Sequence, residues 1–116
     1  MESVAAAPFG AVIRNVKVPM RDGVRLATTV CLPPGPGPFP TVLVRTAYNR
    51  LGPAQGAGGL IDRGLAYVIQ DCRGRYGSEG EHYPFIREAE DGHDALEWIG
   101  RQPWCNGRIG MFGASY

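Results

Sequence analysis

The sequence predicts an α/β protein whose sheet is mostly parallel and begins with an antiparallel hairpin. Strand-like and helix-like segments alternate along the chain, which is the pattern of a sheet with helices packed across it. Near the start, two β-branched segments flank Asp22 and Gly23, a pair typical of hairpin turns. Three later segments are continuously apolar, as parallel strands covered on both faces usually are: residues 41–46, 66–71 and 108–112.

Length and charge restrict the class of protein. The chain has 116 residues with 44% hydrophobic content, which is ordinary for one globular unit. Its formal net charge of +1 creates no strong field that would favour nucleic acid or an acidic partner. The 3 cysteines are odd in number and lack C-x-x-C spacing, so neither a disulfide framework nor a zinc site is predicted. We expect reduced, mostly buried thiols at Cys31, Cys72 and Cys105.

The opening segment, residues 1–10, contains neither a basic n-region nor a long apolar run. A secretory signal peptide and a membrane span are therefore not predicted there. A cytoplasmic location is the default expectation, and the first ordered element is expected to begin at residue 11.

The predicted hairpin joins residues 11–19 to residues 24–32 and is expected at one edge of the sheet. Apolar and polar side chains alternate through the first segment, as in a half-buried strand. Gly23 can adopt the positive φ that a tight turn requires. Residues 33–38 then form a surface loop, because their prolines lack the N–H that a central strand needs.

A glycine-rich stretch follows the first of the apolar strands. Residues 52–59 match neither G-x-x-x-x-G-K-[ST] nor the third glycine of G-x-G-x-x-G, so a nucleotide site is not expected. We expect a mobile surface loop there, followed by a short helix at residues 60–63.

The next strand, residues 66–71, is followed by a loop at residues 72–80. This loop lies at the carboxyl end of its strand, where open α/β sheets place their ligand crevices. Asp71 and Arg73 could contact a substrate there. An ion pair that pins the loop is the favoured interpretation, because structural pairs also occupy such positions.

Residues 88–102 have the spacing of an amphipathic helix, with Ala89, Leu96 and Ile99 on its apolar side. Acidic residues crowd its first turns, as the helix dipole favours, and Pro103 follows its end.

Four further side chains are interpreted as structural rather than functional. Trp98 and Trp104 are expected to be packing residues, because no basic stripe accompanies them. His82 lies in a loop and His93 lies among acids on a helix, so both are expected to be structural or solvated.

The last strand leads into Gly113-Ala114-Ser115-Tyr116, the first four residues of the nucleophile elbow G-x-S-x-G. A serine that attacks a carbonyl must stand clear of the sheet in a tight turn. The residue two positions earlier must therefore be nearly free of side chain, as Gly113 is. These four residues alone fit an ordinary glycine-rich turn equally well, because G-x-S arises easily in a chain with 17 glycines.

Four sequence blocks give this motif its context: MRDGVRLA at 20–27, VRTAY at 44–48, VIQDCRG at 68–74 with SEG at 78–80, and WCNG at 104–107 running into GMFGASY at 110–116. In this order they resemble the opening of the cocaine-esterase and X-prolyl dipeptidyl aminopeptidase family of α/β-hydrolases. The resemblance extends from about residue 16 onward and fades between residues 52 and 64. Four ordered blocks are far more specific than G-x-S, so they favour the elbow over the ordinary turn.

The resemblance implies roles for three residues. Ser115 matches the nucleophile, Tyr116 matches the residue whose backbone N–H forms half of the oxyanion hole, and Tyr48 matches the tyrosine whose hydroxyl forms the other half. The implied reaction is acyl transfer from an ester or amide, of aminoacyl or X-Pro dipeptidyl type, through an acyl-enzyme on Ser115. A small-molecule ester or short peptide is the implied substrate, with no cofactor, metal, nucleic acid or membrane partner.

The acid and histidine of the triad follow the serine in this fold, so both are expected beyond Tyr116. His82 and His93 precede the nucleophile and are not expected to replace them. Residues 1–116 are accordingly expected to be the N-terminal part of a longer catalytic domain and to be inactive alone. The alternative is a small non-catalytic α/β module that binds a ligand through its glycine-rich loops.

Overall fold

The computed structural model describes residues 2–6, 12–54, 57–82 and 87–111. Within these ranges the chain forms one six-stranded sheet, and helices lie in the connections between its parallel strands. The strands are β1 (Glu2–Ala6), β2 (Val12–Pro19), β3 (Arg25–Leu32), β4 (Phe39–Thr46), β5 (Ala66–Asp71) and β6 (Cys105–Met111). The helices are α1 (Leu51–Ala54), α2 (Ala57–Ile61) and α3 (Glu88–Gly100).

The strand order in the sheet is β1-β2-β3-β5-β4-β6. The first four strands in this order pair antiparallel, whereas β4 runs parallel to both of its neighbours, so that Val42 lies opposite Tyr67 of β5 and Gly110 of β6. The predicted α/β class is confirmed, and the three continuously apolar segments are parallel neighbours as predicted. β6 begins at Cys105, three residues before the predicted strand 108–112, whose last residue lies outside the described residues.

The predicted hairpin is formed by β2 and β3. Met20 C=O accepts a hydrogen bond from Gly23 N–H at 2.9 Å, and Met20 N–H donates to Val24 C=O at 2.8 Å. Gly23 has a φ of 86°, which an L side chain rarely adopts. One left-handed glycine therefore closes the turn between the two strands.

Strand β1 corrects the expectation that order begins at residue 11. It pairs antiparallel with β2, with Ala6 opposite Val12. β1 rather than the hairpin therefore forms that edge of the sheet. A short edge strand depends on backbone hydrogen bonds more than on an apolar pattern, so periodicity in the sequence does not reveal it.

The expectation of a mobile loop at residues 52–59 is also wrong, since α1 and α2 occupy much of that stretch. α2 begins before the predicted helix 60–63 and ends at Ile61. Its Leu60 and Ile61 side chains pack against the sheet cluster that contains Val44. This tertiary packing offsets the poor helix propensity of the glycines.

Helix α3 starts where predicted and ends two residues before the predicted end. Its buried residues are Asp91, Ala95 and Ile99, one turn apart. Ala89 was expected on the apolar side but is exposed. The buried face differs from the predicted one because the Asp91 carboxylate lies inside, against the arginine partner described below.

Apolar clusters cover both faces of the sheet. Leu43 and Val44 are successive on β4, so their side chains point to opposite faces. Leu43 packs with Ile99 of α3 and with Trp104, whereas Val44 belongs to the cluster that α2 covers. Trp98 and Trp104 meet edge to face with ring centroids 6.2 Å apart, which confirms that they are packing residues.

Candidate active site

Two neighbouring parallel strands, β4 and β6, lead to the residues with predicted catalytic roles. Tyr48 comes two residues after the end of β4. β6 ends at Met111, which is the register partner of Leu43 on β4. Ser115 and Tyr116 lie outside the described residues. The structure thus places one predicted site residue, Tyr48, at the carboxyl rim of the sheet.

A tight turn of residues 46–50, called the Tyr48 turn below, carries this tyrosine. Tyr48 N–H donates to Thr46 Oγ1 at 2.9 Å. Ala47 C=O accepts a hydrogen bond from Arg75 Nε at 3.1 Å, which ties the turn to the loop after β5. Tyr48 is 56% exposed, so a substrate at the rim could reach it.

A buried ion pair lies beneath the turn. Asp71 Oδ1 accepts a hydrogen bond from Arg50 N–H at 2.7 Å, and Asp71 Oδ2 accepts one from Arg50 Nη1 at 2.6 Å. Gly77 N–H also donates to Oδ2, at 3.2 Å, and Arg50 Nε donates to Thr29 Oγ1 at 3.0 Å. The Asp71 side chain is 0% exposed. Both of its oxygens are hydrogen bonded, which is the condition under which a charge is tolerated in the interior.

Arg73 has different partners from Asp71. Its Nε and Nη2 donate to the two carboxylate oxygens of Asp91 at 2.9 and 2.8 Å, and its Nη1 donates to Asp22 Oδ2 at 2.8 Å. The hydrogen bonds to Asp91 and Asp22 raise the pKa of the Arg73 guanidinium further above its usual range. The bond from Arg73 holds the pKa of Asp22 below its usual range. Asp71 and Arg73 are therefore both in ion pairs, but the expected pair between them is wrong, because Asp71 pairs with Arg50 and Arg73 pairs with Asp91 and Asp22.

The loop after β5 is tied closely to the sheet. Gly74 has a φ of 71°, and a Cβ on it would collide with the backbone at His82. Ser78 Oγ donates to Asp71 C=O at 2.6 Å and accepts a hydrogen bond from Ala27 N–H at 2.8 Å. These contacts join the loop to both β3 and β5.

Cys72 follows β5 directly and is excluded as a nucleophile by its surroundings. Burial raises the pKa of its thiol to about 12, and the nearby Arg45 guanidinium only partly opposes this. A buried thiol that stays protonated near neutral pH is a poor nucleophile. Cys31 and Cys105 are also free and buried, as predicted.

The two histidines lie at other places on the surface. His93 Nε2 is 3.2 Å from Glu97 Oε1 on the exposed side of α3. His82 lines a hollow of about 190 Å³ with charged residues such as Asp22, and Tyr48 is not among the described residues that line it. In the described part of the chain, no three His, Cys, Asp or Glu side chains are grouped to hold a metal ion. None of the described helices combines the length and apolarity needed to cross a bilayer.

Sequence comparison finds a family and a relative whose names are those of hydrolases. The model of the X-Pro dipeptidyl-peptidase (S15) family matches residues 22–116. The cocaine esterase of Rhodococcus sp. (strain MB1 Bresler) is 46% identical over 111 residues, which cover 90% of this chain and 19% of that protein. The chain therefore spans about a fifth of the length of this curated relative.

Solved structures agree with this assignment. An α-amino acid ester hydrolase superposes with a TM-score of 0.84 at 33% identity, over 98% of this chain and 23% of that one. A CocE/NonD family hydrolase from Staphylococcus aureus superposes with a TM-score of 0.78 at 29% identity, over 95% of this chain and 24% of that one. The match of the family model and the identity to cocaine esterase, on an α/β-hydrolase sheet, show that this chain belongs to the X-Pro dipeptidyl-peptidase (S15) family.

Proposed function

We propose that these residues are the N-terminal part of a serine hydrolase that cleaves an ester or amide bond through an acyl-enzyme on Ser115. The observation that carries the proposal is the parallel register of β4 and β6, in which Leu43 lies opposite Met111. Tyr48 comes five residues after Leu43, and Ser115 comes four residues after Met111. Adjacent strands are only about 4.8 Å apart, so this register supports a shared position for both residues at one rim.

The topology supports a ligand crevice at the same place. The connection from β4 leads through α1 and α2 to β5 on one side, whereas β6 pairs with β4 on the other side. In open α/β sheets, ligands bind outside the carboxyl ends of strands where the strand order reverses in this way. Tyr48 is exposed at this point of the rim.

The proposed chemistry follows from the residue types. As the Ser115 oxygen bonds to the carbonyl carbon, its proton passes to the general base of the triad, which later gives it to the leaving group, and the carbonyl oxygen becomes an oxyanion. The Tyr48 hydroxyl and the Tyr116 N–H donate hydrogen bonds to that oxyanion, and one such donor lowers the barrier by about 3 kcal/mol. The bond to the alcohol or amine then breaks, the leaving group takes a proton, and water releases the acid from the acyl-enzyme.

The general base and the acid of the triad are proposed to come from residues that follow Ser115, as chain order in this fold requires. Without a histidine base a serine hydroxyl is essentially un-ionised near neutral pH. We therefore expect residues 1–116 made alone to hydrolyse no ester. The substrate is proposed to be a small ester or a short aminoacyl or X-Pro peptide.

The proposal is tested with Tyr48→Phe and Ser115→Ala in the complete gene product that contains these residues. We expect Ser115→Ala to abolish hydrolysis, and Tyr48→Phe to lower kcat about a hundredfold because one oxyanion donor is lost. Initial rates are measured in parallel on a nitrophenyl ester, an aminoacyl ester and an X-Pro nitroanilide, which also identifies the substrate class. Unchanged hydrolysis after Ser115→Ala would remove Ser115 as the nucleophile.

The non-catalytic binding module has weaker support. It depends on glycine-rich loops, and α1 and α2 take up much of the longest glycine-rich stretch. The cytoplasmic location stays a prediction, and cell fractionation with an antibody to the complete gene product would check it.

A further inference from the structure

We propose that Arg50, Asp71 and Arg75 are positioning residues that hold the Tyr48 hydroxyl in its catalytic place. This inference rests on the proposed function of Tyr48 as an oxyanion donor. The three residues are called the clamp below. They are positioning residues because they act on Tyr48 through the backbone of the Tyr48 turn.

The clamp residues make hydrogen bonds that hold the backbone on both sides of Tyr48. On one side, Ala47 C=O accepts the 3.1 Å hydrogen bond from Arg75 Nε. On the other side, Arg50 N–H donates to Asp71 Oδ1 at 2.7 Å. The residue before Tyr48 and the second residue after it are therefore both tied to the carboxyl end of β5.

The clamp is itself held firmly. Asp71 is the last residue of β5, and its Oδ2 is 2.6 Å from Arg50 Nη1 and 3.2 Å from Gly77 N–H. The Arg75 guanidinium carbon lies 5.1 Å from the centroid of the Tyr76 ring, within the range of a cation–π contact. A rigid strand end and a stacked guanidinium are suitable anchors for a turn.

The conformation of the Tyr48 turn explains why anchors are needed. Asn49 has a φ of 84°, in the left-handed region that Asn adopts more readily than most other non-glycine residues. This preference and the hydrogen bond from Leu51 N–H to Asn49 Oδ1 at 3.1 Å shape the turn locally, but they do not fix its position against β5. Tyr48 is 56% exposed, so burial of the ring contributes only part of its placement. An oxyanion donor must nevertheless be held closely, because a misplacement of about 1 Å can cost about a hundredfold in rate.

Direct contact with substrate does not explain Asp71 and Arg50. The Asp71 side chain is 0% exposed and the Arg50 side chain is 16% exposed. Their oxygens and nitrogens are directed at the turn, at Gly77 and at Thr29. Loss of the clamp should therefore change the rate through Tyr48 and leave substrate binding nearly unchanged.

The test is a double-mutant cycle between the clamp and the Tyr48 hydroxyl in the complete gene product. Arg75→Met keeps the apolar stem and removes the donor to Ala47, whereas Arg75→Lys keeps a donor and the charge. Each is made with and without Tyr48→Phe, and kcat and KM are measured per active serine, counted by titration with a fluorophosphonate. A second cycle combines Asp71→Asn with Tyr48→Phe, because Asp71 holds the other side of the turn through Arg50 N–H. Arg21→Met is the matched control, because Arg21 pairs with Asp94 at the hairpin turn.

We expect Arg75→Met to lower kcat about tenfold or more with KM within about twofold, and Arg75→Lys to restore part of the loss. In the presence of Tyr48→Phe, adding Arg75→Met or Asp71→Asn should lower kcat by less than about twofold, because the hydroxyl they position is gone. Arg21→Met should leave kcat unchanged.

Two results would overturn the clamp. One is that Arg75→Met lowers kcat by the same factor with and without Tyr48→Phe. That result would mean that Arg75 affects the rate independently of the Tyr48 hydroxyl. The other is an unchanged kcat in both Arg75→Met and Asp71→Asn. Failure of the proposed function looks different, because Tyr48→Phe alone would then leave kcat unchanged.

Discussion

Two arginine–carboxylate pairs on the same rim of the sheet have similar N–O distances and very different surroundings. Arg50 and Asp71 meet at 2.6 Å beneath the Tyr48 turn, with side chains 16% and 0% exposed. Arg21 and Asp94 meet at 2.9 Å where the hairpin turn touches α3, with side chains 51% and 12% exposed. Distance alone does not separate the two pairs. Their burial does distinguish them, and it determines how much each pair contributes to the free energy of unfolding.

The reason is the cost of leaving a charge without its partner. In the interior, an arginine that loses its carboxylate cannot be solvated by water, so breaking the pair is strongly destabilising. At the surface, water and salt replace the lost partner at little cost. The Arg50–Asp71 pair therefore holds the backbone of the Tyr48 turn in place, whereas the Arg21–Asp94 pair at the hairpin contributes little to stability.

The largest expected difference comes from removing one aspartate of each pair. Asp71→Ala should lower the free energy of unfolding by about 3–5 kcal/mol, because Arg50 is left buried and uncompensated. Asp94→Ala should lower it much less, because Arg21 remains in contact with water. Urea unfolding of the complete gene product measures both. Equal decreases in the two variants would show that burial does not distinguish the pairs.

A smaller difference is expected between two glycines with positive φ, one in the loop after β5 and one in the hairpin turn. Gly74 and Gly23 have φ values of 71° and 86°, but only Gly74 lies against other backbone, whereas nothing lies within 4 Å of the Gly23 Cβ position. Gly74→Ala should therefore destabilise by about 1–3 kcal/mol more than Gly23→Ala, since overpacking adds to the backbone cost that both share. Melting temperatures of the two variants check this. A Gly23→Ala variant that melts at or below the temperature of Gly74→Ala would contradict it.

The smallest expected effect is the change of stability with pH that comes from three ion pairs near the hairpin turn. Hydrogen bonds from Arg73, Arg25 and Arg21 hold the pKa values of Asp22, Glu79 and Asp94 below their usual range. Groups with a lowered folded pKa contribute stability that is present above the ordinary carboxylate range and is lost as pH falls through the lowered values. The melting temperature should therefore be steady near neutral pH and fall below about pH 4.

A matched salt series sharpens this prediction. Because each of the three pairs has at least one partner that is in contact with water, added salt should weaken the decrease in melting temperature at acidic pH. Arg21→Met should remove the part of the decrease in melting temperature that is due to Asp94 and leave the parts that are due to Asp22 and Glu79. A melting temperature that stays constant between about pH 4 and pH 2 would exclude a contribution from these pairs.

Much of the framework could be predicted from local patterns. β5 was predicted with its observed bounds, and the hairpin turn was predicted from Asp22 and Gly23. The edge strand β1 and the start of α2 within the glycine-rich stretch could not be predicted, because β1 is stabilised by pairing with β2 and α2 by packing against the sheet. Tyr48 as a site residue came from the family resemblance, since a tyrosine in a loop has no local pattern that marks it.

The sequence by itself determined the order and type of the main strands and of α3. It could do so because apolar periodicity and turn residues act within a few positions of the chain. Only the tertiary structure decided which charges meet, so that Asp71 pairs with Arg50 rather than with Arg73, and Asp91 is buried against Arg73. The physical reason is that these partners lie 21 and 18 positions apart. The distance between their side chains is set by where the parallel strands end and α3 begins, which no local pattern encodes.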